Sequence, residues 1–152
     1  MRPLSLMIGF MMIASCYAVQ IVNIESYWAD TQATIAAESL KLKESLDARL
    51  PVKSKASAGL ISRHHVAFSG FSNAIFIIGD DPVSKQWLNE HTEELRQIHA
   101  LGFITNIKSA RTLDELQTVS GLPLLPANID DVMEVLDATH YPLISNKGAV
   151  WQ

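Results

Sequence analysis

The sequence contains very little cysteine. Cys16 is the only one among 152 residues, and it lies in an N-terminal stretch that we expect to be removed. A mature chain cut after residue 18 would have 134 residues (152 − 18) and no cysteine, so it could form no disulfide and perform no thiol redox chemistry. A chain of that length can bury roughly two-thirds of its unfolded surface, so its core alone can stabilise it.

Motifs that mark common enzyme classes are also missing from the sequence. There is no G-x-S-x-G nucleophile motif, since "FSGFS" at 68–72 lacks that spacing, and no glycine-rich phosphate loop. His64 and His65 are adjacent and would point to opposite faces of a strand. No compact spacing supplies the three or four ligands of a zinc site. The sequence thus indicates no catalytic residue, metal site or cofactor.

Basic residues are too few and too scattered for nucleic-acid binding. Of 12 Lys and Arg residues, Arg2 lies in the expected leader, which leaves 11 against 16 acidic residues and a net charge of about −5. A protein that neutralises a run of phosphates needs a basic patch or stripe. We therefore expect no nucleic-acid partner.

The first 18 residues are typical of a secretory signal. Arg2 precedes an apolar run at residues 4–14, which is shorter than the roughly 20 residues of a membrane-spanning helix. Small residues at Cys16 and Ala18 predict cleavage after Ala18 and export to the periplasm. The alternative is that "IASC" acts as a lipobox and leaves Cys16 lipidated in the outer membrane, in which case the chain would contact a membrane. Against this, a strand-like segment starts at Val19 and leaves almost no tether.

The pattern from residue 19 to residue 152 predicts a single α/β domain. Residues 19–26 alternate like a strand, residues 30–49 read as a helix stopped by Pro51, and residues 60–68 read as a strand in a Ser- and Gly-rich stretch. Strands at 74–78, 103–107, 122–125 and 141–145 then alternate with helices at 82–101, 110–120 and 129–136. Such alternation predicts a mostly parallel sheet flanked by helices.

Glycines and prolines refine this map. Gly102 and Gly121 stand where helices are expected to end, and Pro123 and Pro126 predict that the strand between them lies at a sheet edge. Pro142 follows an aromatic residue at the start of the last strand, where it is either an ordinary trans proline or a cis one. Because thioredoxin-like folds place a cis-proline just before a strand, a thioredoxin-like domain without cysteines is the alternative architecture.

Asp80 and Asp81 follow the fully apolar strand "AIFII" in the stretch "GDDPVSKQWL". Ligands of open parallel sheets bind beyond the carboxyl ends of strands, so two carboxylates there could hold a divalent cation. The same residues also suit a helix start. Asp81 precedes Pro82, and a carboxylate at this point accepts hydrogen bonds from free backbone amides. We favour the second interpretation, because no further carboxylate follows the next strand.

Two aromatic positions are interpreted by their place in the pattern. Trp87 and His91 fall on the apolar stripe of the helix at 82–101, which predicts burial or half-burial rather than ligand binding. Trp151 is next to the last residue, where burial is difficult, and we expect it to contact a partner.

The stretches "IFIIGDDPVSKQWL", "LRQIHALGFITNI" and "ANIDDVMEVLDATHYPLIS" resemble a family of exported integrating conjugative element proteins, whose genes lie among those for conjugative type IV secretion. The likeness covers roughly residues 50–145. It implies an exported accessory part of a DNA-transfer apparatus, with protein subunits of the secretion system as partners, and it brings no catalytic residue with it. An enzyme is the less favoured class.

Two functional hypotheses therefore stand. The first is an exported, non-enzymatic accessory component of a conjugative secretion apparatus that acts through protein–protein contacts and should expose an apolar or aromatic patch. The second is a divalent-cation-dependent periplasmic enzyme that uses Asp80 and Asp81, with Lys108 or Lys147 nearby.

Overall fold

A computed structural model describes the backbone of residues 24–67 and 70–152, and the side chains from residue 29 onward within those ranges. By internal contacts the chain divides into two units, Met1–Ala37 and Glu38–Gln152. Helix α1 spans Ile24–Asp47. The predicted strand at 19–26 is thus wrong at its last three residues, because a stretch rich in Ala, Leu, Lys and Glu without Gly or Pro favours helix throughout. Residues 19–23 and Cys16 lie outside the described residues.

The second unit contains the sheets. Its elements are β1 (Ser57–Ala58), β2 (His64–His65), β3 (Ile75–Gly79), α2 (Pro82–Gln97), β4 (Leu101–Thr105), α3 (Ala110–Ser120), β5 (Leu124–Pro126), α4 (Asp130–Val135), β6 (His140–Tyr141), β7 (Leu143–Asn146) and β8 (Ala149–Trp151). One sheet has the order β2-β8-β7-β3-β4-β5, and β1 pairs separately with β6. The predicted strand at 60–68 is reduced to the two residues of β2 in the described part of the chain.

The α/β class is confirmed, but the expectation of a mostly parallel sheet is wrong. In the six-stranded sheet β3, β4 and β5 are parallel, whereas the pairs β3–β7, β7–β8 and β8–β2 are antiparallel. The reason lies in the connections. Lys147 (φ 50°) and Gly148 (φ 84°) form a two-residue turn between β7 and β8, and so short a link allows only an antiparallel pair. Neither this turn nor β8 was predicted from the sequence.

Strand β3 lies at the centre of the sheet and is buried at every position, as its apolar sequence predicts. One face of the sheet packs against α2 and α3 through residues such as Leu88, Leu95 and Leu113. The other face packs against α4 through residues such as Met133 and Leu136. Helices therefore cover both faces and leave the ends of the strands as the places for a site.

Helix α2 ends at Gln97, four residues before the predicted last residue at 101. His99 takes the left-handed conformation (φ 49°) just past the helix, and the amides of His99 and Ala100 bond the carbonyls of Arg96 and Leu95. This is a Schellman ending formed without glycine. Gly102, the predicted stop, lies inside β4. A Cβ there would come within 3.0 Å of the Phe76 and Leu124 side chains, so the close packing of neighbouring strands requires glycine.

Helix α3 and strand β5 agree with the sequence. Ser109 caps α3, Gly121 closes it with φ 62°, and β5 occupies the sheet edge that Pro123 and Pro126 predict. The Tyr141–Pro142 bond is cis and directly precedes β7. This is the feature expected of a thioredoxin-like domain, and that architecture stays a prediction. Within residues 24–67 and 70–152, no helix is long and apolar enough to cross a bilayer.

Candidate functional site

Asp81 begins helix α2. Its backbone is extended (φ −134°, ψ 161°), and its Oδ1 accepts from the Ser84 amide at 2.9 Å. Its Oδ2 accepts from the Ser84 hydroxyl at 2.8 Å, and that hydroxyl in turn accepts from the Gly79 amide at 2.9 Å. Both carboxylate oxygens are thus engaged with the first turn of α2, which ties the end of β3 to the helix.

Asp80 pairs with a cation from the same helix. Its Oδ1 lies 2.6 Å from Lys85 Nζ, and the two side chains are 23% and 43% exposed. An ion pair of this exposure contributes on the order of 0–1 kcal/mol. Neither Lys108 nor Lys147 is this cation. Lys147 follows β7, which runs antiparallel to β3, and so lies at the opposite edge of the sheet.

Asn106 is the centre of a polar network at the end of β4. It has φ 52°, and its Oδ1 accepts from the Ser54 amide at 2.9 Å. Its Nδ2 donates to the Ala56 carbonyl at 2.9 Å and to the Tyr141 hydroxyl oxygen at 3.0 Å. The left-handed backbone suits asparagine better than most residues, and every polar atom of its amide is used. The sequence analysis did not identify this residue, because an asparagine after a strand also reads as an ordinary turn.

Tyr141 connects this network to the aspartate turn. Its ring lies directly on Gly79, where a Cβ would come within 2.6 Å of Tyr141 Cζ and Oη. Burial raises the pKa of the Tyr141 hydroxyl, the Asn106 hydrogen bond lowers it, and the charges of Asp81 and Asp80 raise it further, for a net increase. Tyr141 is therefore a neutral donor or acceptor at physiological pH and is not poised as a base.

Residues 52–66, here called the edge segment, run past the carboxyl ends of β4 and β5. The Ser54 hydroxyl lies 2.6 Å from the Thr105 hydroxyl and accepts from the Ile129 amide at 2.9 Å. Further along, β1 pairs with β6, and the Gly59 amide donates to the Tyr141 carbonyl at 2.9 Å. The place where ligands of open α/β sheets usually bind is thus occupied here by the chain itself.

The described residues form no metal site at this edge or elsewhere. Among them, no three His, Cys, Asp or Glu side chains lie together in a way that could hold a metal ion. His64 is half-buried, and His65 is exposed. His91 is half-buried, its ring stacked on Trp87 with 4.4 Å between ring centres.

A groove opens beside the start of α2, between that helix and the edge segment. Its volume is about 340 Å³, and its lining includes Leu60, Val83, Trp87, Glu90 and Gln152. We call it the Leu60 groove. Leu60 is 89% exposed and Val83 53% exposed, whereas Trp87 is 6% exposed. The rim is therefore apolar and accessible to solvent.

The backbone on each side of Leu60 is fixed by Gln152. The Gln152 side-chain Nε2 donates to the Gly59 carbonyl at 2.8 Å, and its Oε1 accepts from the Ile61 backbone amide at 3.4 Å. Leu60 is consequently presented to solvent from a hydrogen-bonded backbone. Leu60 was not predicted as a site residue, because it stands next to Ile61 at the start of the predicted strand at 60–68, where neither residue gives a signal of exposure.

Trp151, the predicted contact residue, is only partly available. It is half-buried in β8, packs against the cluster that contains Ile144 and Trp87, and has the Arg63 guanidinium 5.4 Å from its ring centre. Strand β8 brings Trp151 onto the sheet and buries part of it, and its contact with a partner stays a prediction.

A comparison with protein families matches residues 14–149 to the family described as "Protein of unknown function (DUF2859)". Comparisons with curated proteins and with solved structures give no significant match. The family match covers most of the chain, and the chain therefore belongs to the DUF2859 family.

Proposed function

We propose that this protein is an exported, non-enzymatic accessory component of a conjugative DNA-transfer (type IV secretion) apparatus and acts through protein–protein contacts. The Leu60 groove is the observation that carries the proposal. The Leu60 side chain is 89% exposed, on a backbone that Gln152 bonds at Gly59 and Ile61. So exposed a side chain adds little to the stability of the fold, whereas its burial against a partner would be favourable.

The proposed occupant is a subunit of the secretion channel that inserts an apolar side chain between Leu60 and Val83. Trp87 lies below them but is only 6% exposed, and its indole nitrogen is buried without a hydrogen-bond partner within the described part of the chain, so the inserted side chain would mainly contact Leu60 and Val83. Glu90 at the rim favours a basic residue next to the inserted side chain. Neighbouring exposed apolar groups with a polar rim are typical of interaction sites.

The test is cross-linking from the groove in cells that carry the conjugative genes. A photoreactive amino acid at position 60 should give a specific adduct with a channel subunit, identified by mass spectrometry. Val119 on α3 is 66% exposed and serves as the matched control position. We expect Leu60→Ser to weaken partner binding about tenfold, or roughly 1.4 kcal/mol, and to reduce DNA transfer, whereas Val119→Ser leaves both unchanged.

Two outcomes would contradict this proposal. One is the same set of adducts from positions 60 and 119. The other is normal DNA transfer by the Leu60→Ser variant at normal protein levels. Because Leu60 is exposed, both variants should unfold at the temperature of the wild type, so a change in transfer could not be attributed to stability.

Export to the periplasm is part of the same proposal, with attachment to the outer membrane through Cys16 as its alternative. A Cys16→Ser variant distinguishes them. If this variant is still exported and cut to the same length, the soluble periplasmic form stands. If processing stops, the lipid anchor replaces it.

A further inference from the structure

His64 occupies an unusual position on β2, because both of its ring nitrogens face backbone carbonyl oxygens. Nδ1 lies 2.9 Å from the Ser62 oxygen, and Nε2 lies 2.8 Å from the Leu136 oxygen. A carbonyl oxygen only accepts, so each contact requires an N–H on the imidazole. A neutral imidazole has one N–H, and its other nitrogen would direct a lone pair at an oxygen. Only the imidazolium form satisfies both contacts.

The Leu136 carbonyl is well suited to receive this cation. Helix α4 ends in a Schellman motif, in which the amides of Asp137 and Ala138 bond the carbonyls of Glu134 and Met133. Leu136 is the C-cap, so its carbonyl lies beyond the last hydrogen bonds of the helix. His64 Nε2 thus links the edge segment to the end of α4 across 72 positions of sequence.

The hydrogen bonds of His64, more than the charges around it, favour its protonated form. Hydrogen bonds to the Ser62 carbonyl and then to the Leu136 carbonyl raise the pKa of His64, burial lowers it, and the Asp137 carboxylate raises it further, for a net increase. Other titratable groups on the surrounding elements are the acidic residues of α4, His140 of β6, Lys147 of the β7–β8 turn, and Arg63 and His65 on the same segment; those of α4 are Asp130, Asp131 and Glu134. Strand β8, which pairs with β2, has only uncharged side chains.

We propose that His64 is a pH-sensitive latch: its imidazolium form ties the edge segment to the end of α4, and deprotonation releases that segment. The contribution of the latch is fully present below the unfolded pKa of histidine, about 6.5, and is lost as the pH rises through the higher folded pKa. The segment that loosens carries Leu60, so the pH would also control how firmly Leu60 is presented. The latch itself stands on the geometry of His64 and does not depend on the proposed function.

The first measurement is the protonation of the ring nitrogens by long-range ¹H–¹⁵N NMR. At a pH of about 6.5, the ordinary pKa of histidine, most His64 rings should carry protons on both nitrogens, because both face carbonyl oxygens. If His64 is half-deprotonated at that pH or below it, the latch proposal is wrong.

The second measurement is hydrogen exchange of the Gly59 and Val66 amides, which bond the Tyr141 and Gly148 carbonyls. Their protection should fall about 3- to 10-fold between pH about 5.5 and about 8.5, after correction for intrinsic rates, because deprotonation removes one of the two hydrogen bonds that His64 donates. In His64→Gln, protection should be low at both pH values, and the matched variant His65→Gln should behave as the wild type.

The amides of β3 report on global stability in the same samples. If they lose protection together with Gly59 and Val66, the whole domain opens and the local latch is refuted. A pH dependence that persists unchanged in His64→Gln would refute it as well.

Discussion

The capping role of Asp81 makes a quantitative prediction about stability. In Asp81→Ala, α2 loses its N-cap hydrogen bond, which costs about 1 kcal/mol. The buried Ser84 hydroxyl also loses its acceptor, which costs about 1–3 kcal/mol more. We therefore expect a loss of about 2–4 kcal/mol in the free energy of unfolding. In a chain of this size, each kcal/mol lowers Tm by about 3–4 °C, so the melting temperature should fall by about 6–16 °C.

Two matched variants separate the cap from a cation site. Asp81→Asn keeps an oxygen that can accept from the Ser84 amide, so it should cost about half as much as Asp81→Ala. Asp80→Asn removes only a half-exposed ion pair with Lys85 and should cost about 1 kcal/mol or less. A cation site predicts a different order of stability losses among these variants, because either Asn substitution removes a carboxylate charge that a metal would need.

The assay is urea unfolding followed by tryptophan fluorescence, with EDTA and with millimolar Mg²⁺. If Asp81 acts only as a cap, each of the four proteins (the wild type and the three variants) should have the same unfolding free energy in EDTA as it has in Mg²⁺. A cation site occupied at a hundred times its Kd would instead add about 2.7 kcal/mol to the wild type alone. That result, or a loss of less than about 0.5 kcal/mol in unfolding free energy for Asp81→Ala, would contradict the capping role of Asp81 and favour the divalent-cation enzyme hypothesis.

Two further substitutions test the packing and the polar network. Gly102→Ala places a Cβ within 3.0 Å of the buried Phe76 side chain and should lower the free energy of unfolding by about 1–3 kcal/mol, which thermal unfolding would measure. An unchanged Tm, or no recovery of Tm when Phe76→Leu is added, would contradict this explanation. Asn106→Ala removes three hydrogen bonds and places alanine at φ 52°, so it should lower the free energy of unfolding by about 2–4 kcal/mol. Tyr141→Phe removes only one of those bonds and should lower it by about 1 kcal/mol. Equal losses for the two variants in urea unfolding would show that the network is not centred on Asn106.

The parts of the fold that local sequence determines were predicted well. Strand β3 is apolar at every position, and α3 has a capping serine before it and a glycine after it, so burial and both helix ends follow from neighbouring residues. Asp81 belongs to this group, since Pro82 fixes where α2 begins. In each case the residues that make the interaction are close in sequence.

The errors concern features that depend on distant residues. Gly102 lies in a strand because Phe76 and Leu124 flank it on the neighbouring strands, which no local pattern can show. His99 closes α2 in a conformation that is uncommon for residues other than glycine, so the glycine rule placed the end too late. Asn106 and Tyr141 meet only because β4 and β6 end near one another.

The edge segment occupies the place where ligands of open α/β sheets usually bind. Such ligands lie beyond the carboxyl ends of parallel strands, and Asp80 and Asp81 follow such a strand. In this chain, however, Ser54 and Asn106 fill that space with hydrogen bonds to each other and to Thr105. A ligand there would have to displace the chain's own polar groups, which are already satisfied. The exposed Leu60 side chain and the contact of His64 with the end of α4 both lie elsewhere on the edge segment, away from Ser54. One stretch of chain therefore fills the space beyond the strand ends and also presents an apolar side chain to solvent.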